Sequence, residues 1–198
     1  GYPSIINAAS HAARNRSQVG RHIVMRVRIH TRSGDFDGIF QAVRIGEGLG
    51  RQDDAAGTLR NNKAPAINGE RAAGSIDDAG ISLQDIASVN AHAASTKIGD
   101  MVEYQALKAL FGDRIPPVTA NKSMIGHAMG ASSAIETIFA MEGMLRGIVL
   151  PTINYTPDPE LVLDCVHEGA RRIQQEFVLK NSFGFGGCNA CMVLHRIA

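Results

Sequence analysis

A layered α/β fold is predicted by three observations on the sequence. From Ser75 onward, short apolar runs suited to strands alternate with runs of helical periodicity, the grammar that lays helices over a sheet. Glycines stand just past the helical runs, at Gly80 and Gly112, where a left-handed stop is favoured. The 198-residue chain is also 44% hydrophobic and 20% charged, enough to bury one core, or one domain and part of another.

Taken in order, residues 23–29 alternate as a strand does, and residues 46–66 are rich in turn formers and read as loop. Residues 75–80 read as the tail of a helix. A short strand is expected over 86–91. The run 100–111 is a helix stopped by Gly112, with Ala106, Leu107, Leu110 and Phe111 facing inward and Glu103 on the same face. A second short strand covers 118–121. Residues 130–146 form a long helix whose buried stripe is expected at Ala131, Ala134, Ile135, Ile138, Phe139 and Leu145, with Glu136 beside it. Residues 148–154 are extended, and Pro151 puts them at an edge or a strand start. Strands over 178–181 and 190–195 flank a glycine-rich turn. The expected organisation is an irregular segment over 1–72 followed by a domain over 73–198.

Composition narrows the function classes. The net charge is +1 and Trp is absent, so no global field or stacking platform argues for nucleic acid. The first 72 residues carry 11 basic and 6 acidic side chains. Without a motif, this excess reads as solvated surface in preference to a nucleic-acid patch. The most apolar long segment, 128–151, is broken by Glu136, Glu142 and Arg146, so no membrane span is expected. Three cysteines, Cys165, Cys188 and Cys191, do not make a disulfide framework, and a reducing compartment, the cytoplasm, is expected. Cys188 and Cys191 form a C-x-x-C with no second ligand pair after it, so core thiols are expected, not a zinc or redox site. The chain begins at Gly1, and the expectation is that a piece is missing upstream.

Three strand ends carry chemistry. His92 follows the strand of 86–91 and precedes small and hydroxyl residues. His127, bracketed by Gly126 and Gly130, follows the strand of 118–121 in the same strand–loop–helix setting. A lone His at either place reads more readily as structural; two in matching contexts point to two imidazoles aimed at one carbonyl oxygen. Lys122 lies just before His127. Glu103, on an inward helix face, is costly unless paired, and a Glu103–Lys122 pair is expected. The equal alternative is that Glu103 simply favours its helix's dipole. The third end is the run 181–189, Asn-Ser-Phe-Gly-Phe-Gly-Gly-Cys-Asn. No Lys-Ser/Thr follows it, so an oxyanion hole of backbone amides fits better than a phosphate cradle, with Phe185 as an apolar plug.

Together these strings resemble the β-ketoacyl-acyl carrier protein synthases, and among them the chain-elongating type II branch. His92 matches the family's N-A-H-G-T-S-T motif, His127 its N-K-S-x-x-G-H-x-x-G motif, and residues 181–189 its N-S-F-G-F-G-G-x-N motif. Residues 148–154 match a further segment, so the similarity runs over about 74–197. The resemblance implies the C-terminal half of a thiolase-like, layered αβα fold. It implies an acyltransferase of fatty acid biosynthesis that condenses malonyl-acyl carrier protein with an acyl thioester. His92 and His127 would stabilise the enolate, and Lys122 and Glu103 would order the site. Glu136 would anchor internal water or a structural cation. Phe185 would gate the acyl pocket and complete the oxyanion hole. Ser95, Thr96, Phe183, Gly184 and Gly186 would meet the substrate. No catalytic metal or dissociable cofactor is implied, phosphopantetheine arriving on the acyl carrier protein. The implied partners are acyl carrier protein and a homodimer mate or complementing N-terminal half.

The departures are specific. The family's nucleophilic Cys lies in its N-terminal half, and none of the three cysteines here has that context. Ala93 and Ala94 replace Gly and Thr, and Lys180 stands where Ser is common. The chain alone is therefore expected to be inactive. The alternative is a catalytically incomplete subunit that binds carrier protein or a synthase partner.

Overall fold

The computed structural model describes residues 29–31, 34–36, 64–185 and 189–196, with backbone alone before residue 68. Most of the strand expected at 23–29, most of the loop at 46–66, and Gly186 and Cys188 of the glycine turn lie outside the described residues.

Strands β1 (Ile29–Thr31) and β2 (Gly34–Phe36) pair antiparallel. Helix α1 (Ala64–Asp78) follows. It crosses the boundary expected between residues 72 and 73, because the turn-forming residues before it mask its start. Gly80 then takes a left-handed φ of 67°, as the stop signal requires. Strand β3 is Ile86–Asn90 and helix α2 is Lys97–Phe111. The helix begins three residues before the expected Asp100, because Thr96 Oγ1 accepts the Gly99 N–H at 3.1 Å and caps it. Strand β4 (Val118–Thr119), the single-turn α3 (Lys122–Ile125) and helix α4 (Ser132–Arg146) come next. Strands β5 (Ile148–Val149) and β6 (Arg171–Arg172) pair as an antiparallel ribbon. The chain closes on β7 (Phe177–Phe183) and β8 (Asn189–His195).

The main sheet has the order β4-β3-β7-β8. Strands β4, β3 and β7 run parallel and β8 antiparallel. Alternation along the strands sorts side chains onto two faces. Leu179 and Val193 join Ala72 and Ile76 of α1 and Leu107 of α2 in one core. Val178 and Leu194 meet Met141 and Met144 of α4 on the other side. Helices thus cover both faces, the layered αβα arrangement. Helix α1 is pinned to β8 by Ser75 Oγ donating to the Cys191 carbonyl at 2.8 Å and by Asn189 Nδ2 donating to Asn68 Oδ1 at 2.7 Å. Gln175 joins the main sheet to the β5–β6 ribbon. Its Oε1 accepts from Ser88 Oγ at 2.5 Å and its Nε2 donates to the Ile148 carbonyl at 2.7 Å.

The stripe expected on α4 is not the buried one. Ala131 and Ala134 are exposed and Ile138 is 57% exposed, whereas Ser132, Glu136, Thr137, Met141, Gly143 and Met144 are buried. Apolar periodicity misplaced the face because the side toward β7 is polar and charged near the helix start. Among the described residues no helix is long and apolar enough to cross a membrane.

Candidate active site

Because β4, β3 and β7 are parallel neighbours, their carboxyl ends lie side by side. Each end carries one of the sequence's motifs, and residues collect there as in other open α/β sheets. The loop after β3 presents His92, the turn after β4 presents Lys122 and then His127, and the end of β7 presents Phe183. The His92 and His127 ring centroids are 5.6 Å apart at 80°, edge to face. The Phe183 ring lies 5.7 Å from His92.

The partners of the two imidazoles fix their tautomers. The Met129 N–H donates to His127 Nδ1 at 3.1 Å, and Ser132 Oγ stands 2.9 Å from the same atom. His127 Nδ1 is therefore an acceptor and its proton sits on Nε2. Lys122 Nζ, which can only donate, lies 3.4 Å from His92 Nδ1, so His92 also carries its proton on Nε2. Burial, then the ammonium charges of Lys122 and Lys180, hold the His92 imidazole at about 4 against an ordinary 6.5, with His127 adding to the effect and Glu136 opposing it. His92 is thus a neutral N–H donor at pH 7.

This shift has a consequence for stability. Between pH 6.5 and about 4 the unfolded chain binds a proton at His92 that the folded chain does not, so stability falls as the pH drops through that window. The half-exposed ring reduces the effect to about 1–2 kcal/mol. Urea midpoints from pH 7 to 4 should fall accordingly, with His92→Gln flattening that part of the profile. An unchanged profile in the variant would remove His92 as its source.

Two buried carboxylates organise the site, in a different pairing from the one expected. Lys122 pairs with Glu136, not Glu103, its Nζ lying 2.5 Å from Glu136 Oε1. It also donates to the His92 carbonyl at 2.5 Å. Glu103 accepts backbone N–H groups instead. Its Oε1 takes His92 N at 2.9 Å and Asn181 Nδ2 at 3.0 Å, and its Oε2 takes Ala93 N at 2.8 Å. The alternation of β7 explains the division. Asn181 faces α2, which carries Glu103, while Lys180 and Ser182 face α4, which carries Glu136 and Ser133. Lys180 Nζ lies 2.8 Å from Glu136 Oε2. Ala93 and Ser95 take left-handed φ values of 33° and 63°, conformations that cost a non-glycine residue energy; the Glu103 bond to Ala93 holds the loop in that shape.

The other expected site residues are scattered. Thr96 is spent on capping α2 and Ser95 is exposed. Phe185 is 91% exposed and so does not pack on the imidazoles; Phe183 is the ring that meets His92. Gly184 is exposed. Asn181 and Ser132 were not anticipated. Asn181 sits inside the glycine-turn motif, whereas Ser132, five residues beyond His127 in another element, leaves no sequence signal. Cys165 and Cys191 are free and buried, with burial raising both thiols, Cys191 to about 12. Neither is an activated nucleophile. Among the described residues no cluster of His, Cys, Asp and Glu is placed to hold a metal.

Residues 46–156 match a family profile described as "Beta-ketoacyl synthase, C-terminal domain". The chain is 41% identical over 140 residues to 3-oxoacyl-[acyl-carrier-protein] synthase 2 of Staphylococcus aureus (strain COL), covering 67% of this chain and 34% of that protein. It therefore spans about a third of the length of the curated relatives it matches. A β-ketoacyl synthase from Burkholderia phymatum STM815 superposes with a TM-score of 0.59 at 40% identity, over 62% of this chain and 30% of that one. A type II polyketide ketosynthase, solved with its acyl-carrier protein and bound to a hexaketide, gives a TM-score of 0.63 at 32% identity, over 66% and 33%.

Proposed function

The chain belongs to the β-ketoacyl synthase family, and from that premise we propose that it is the enolate-stabilising part of a 3-oxoacyl-acyl carrier protein synthase of fatty acid synthesis. The observation that carries the reading is the edge-to-face pair of His92 and His127, each with its proton on Nε2. Two neutral donors suit an oxygen that gains negative charge during reaction and add no cation to the ground state. In the proposed step a malonyl thioester loses CO2, and the freed electron pair becomes an enolate whose oxygen lies between the two N–H groups. The enolate carbon then attacks the carbonyl of an acyl thioester, and the thiolate that carried the acyl group leaves. With Cys165 and Cys191 raised by burial, and Cys188 in the glycine turn outside the context of the family's nucleophile, that thiolate is assigned to a segment or subunit beyond this chain, and residues 73–198 to the enolate-stabilising domain.

Acyl carrier protein is the proposed substrate carrier, and the cytoplasm the proposed setting. Assembly with a second copy or a complementing N-terminal half is part of the same reading. Phe183 and Gly184 are proposed to line the acyl thioester, with Ser95 and Thr96 nearer the pantetheine. Phe185 and Gly186 are proposed to reach the oxyanion when substrate is bound.

Joined to a segment that supplies the nucleophile, the chain should release CO2 from malonyl-acyl carrier protein and form a 3-oxoacyl product. His92→Ala or His127→Ala should slow CO2 release by about 100-fold each. Unchanged release in both variants would overturn the assignment. Carrier-protein binding without turnover in the unsubstituted complex would favour the non-catalytic subunit, for which the raised thiols speak.

A further inference from the structure

Lys180 is fully buried, and its ammonium meets three oxygens of three kinds. Nζ lies 2.8 Å from the Glu136 carboxylate and 3.3 Å from the Ser182 hydroxyl, and it donates to the Asn181 carbonyl. An ammonium has three N–H donors; the Asn181 carbonyl and the Ser182 hydroxyl take two of them, and the carboxylate stands beside as counter-ion. A carboxylate, a carbonyl and a hydroxyl together form the hard, all-oxygen donor set that simple cations take. The other Glu136 oxygen is held by Lys122. With both oxygens taken, the residues do not fit a structural cation at Glu136, one of the two roles the family resemblance leaves open there. Both contacts to Glu136 lie off hydrogen-bond angles, so opposite charge holds the carboxylate.

We propose that Lys180 is a positioning residue acting as a tethered monovalent cation: its ammonium holds Glu136 against Lys122, and Lys122 in turn fixes the His92 loop. A free ion in such a cage dissociates when its concentration falls; a side chain on β7 cannot. Around the His92 end of this chain of contacts stand Lys122 of α3, Glu136 of α4, Glu103 of α2 and His127, which with Lys180 are the charged and titratable groups facing it. The ammonium of Lys180 acts in the same direction as that of Lys122, keeping the imidazole neutral. The consequence for catalysis rests on the enolate-stabilising reading of His92; the tethered cation itself does not.

The test uses the 198-residue chain and needs no turnover. Thermal melts are compared in potassium, sodium, ethylammonium and tetramethylammonium chloride at one ionic strength. The unsubstituted chain should melt at the same temperature in all four. Lys180→Ser should melt lower and recover at least half the loss in potassium, sodium or ethylammonium chloride, ions small enough for the vacated cage, but not in the tetramethylammonium salt. Potassium-dependent melting of the unsubstituted chain, or a Lys180→Ser chain indifferent to the cation, overturns the proposal. Should Lys180→Ser not fold, Lys180→Met keeps the stem and removes the charge. Its His92 signal, followed by NMR, should then titrate about half a unit or more above that of the unsubstituted chain, and an unmoved titration overturns the proposal. If the melts and titration behave as expected while CO2 release is insensitive to the histidines, the tethered cation stands and the catalytic reading alone falls.

Discussion

Glu136→Ala should abolish cooperative folding of the chain. The carboxylate is completely buried and is the shared counter-ion of two ammonium groups, Lys122 at 2.5 Å and Lys180 at 2.8 Å. Removing it leaves both cations in the interior, repelling one another with no anion between them. Breaking one buried pair in this way costs about 3–5 kcal/mol, and here two are broken at once. A domain of this size holds about 5–15 kcal/mol in total, so the variant should be insoluble or melt without a sharp transition. Glu136→Gln keeps the shape and an oxygen but not the charge, and should recover only part of the loss. The measurement is a thermal melt followed by circular dichroism. A Glu136→Ala chain that melts within a degree or two of the unsubstituted one would refute the charge cluster.

Glu103→Ala should be the next most damaging change, at about 3–5 kcal/mol by urea denaturation. Three donors lose their acceptor together: the N–H groups of His92 and Ala93 and the Asn181 amide. Each orphaned, largely buried donor costs about 1–3 kcal/mol. The loop between β3 and α2, with its left-handed Ala93 and Ser95, also loses its anchor at the Ala93 end, leaving the Asp100 carboxylate to hold Ser95 and Thr96. Glu103→Gln should cost roughly half as much, since one oxygen still accepts while its NH2 group faces a backbone N–H. A variant Glu103→Ala with an unshifted midpoint, or with lost stability but an unmoved His92 NMR signal, would show that Glu103 does not hold this loop.

Much of this molecule is legible in its residues where the signal is local. The Gly80 and Gly112 stops, the inward face of α2 with Ala106 and Leu107, and the strands at 86–91 and 178–181 follow from short-range periodicity and turn chemistry. The convergence of His92 and His127 was readable because each follows a strand in the same setting, and parallel neighbours bring such ends together. Three features escaped. The start of α1 at Ala64 is hidden by turn-forming residues before it. The buried face of α4 is set by Glu136 and its cations, and hydropathy counts only apolar side chains. The choice between Glu103 and Glu136 as partner of Lys122 depends on which face of β7 each helix covers, a fact about tertiary packing that spacing along the chain does not contain.

The Gln175 amide has a mechanical meaning. A two-stranded ribbon as short as β5–β6 would by itself breathe open readily and lose its amide protons to solvent. Gln175 ties Ser88 on an inner strand of the main sheet to the Ile148 carbonyl of the ribbon, so the ribbon detaches only by breaking these buried side-chain hydrogen bonds. Its amide protons should therefore exchange in heavy water at a rate drawn toward that of the main sheet, the two layers opening together.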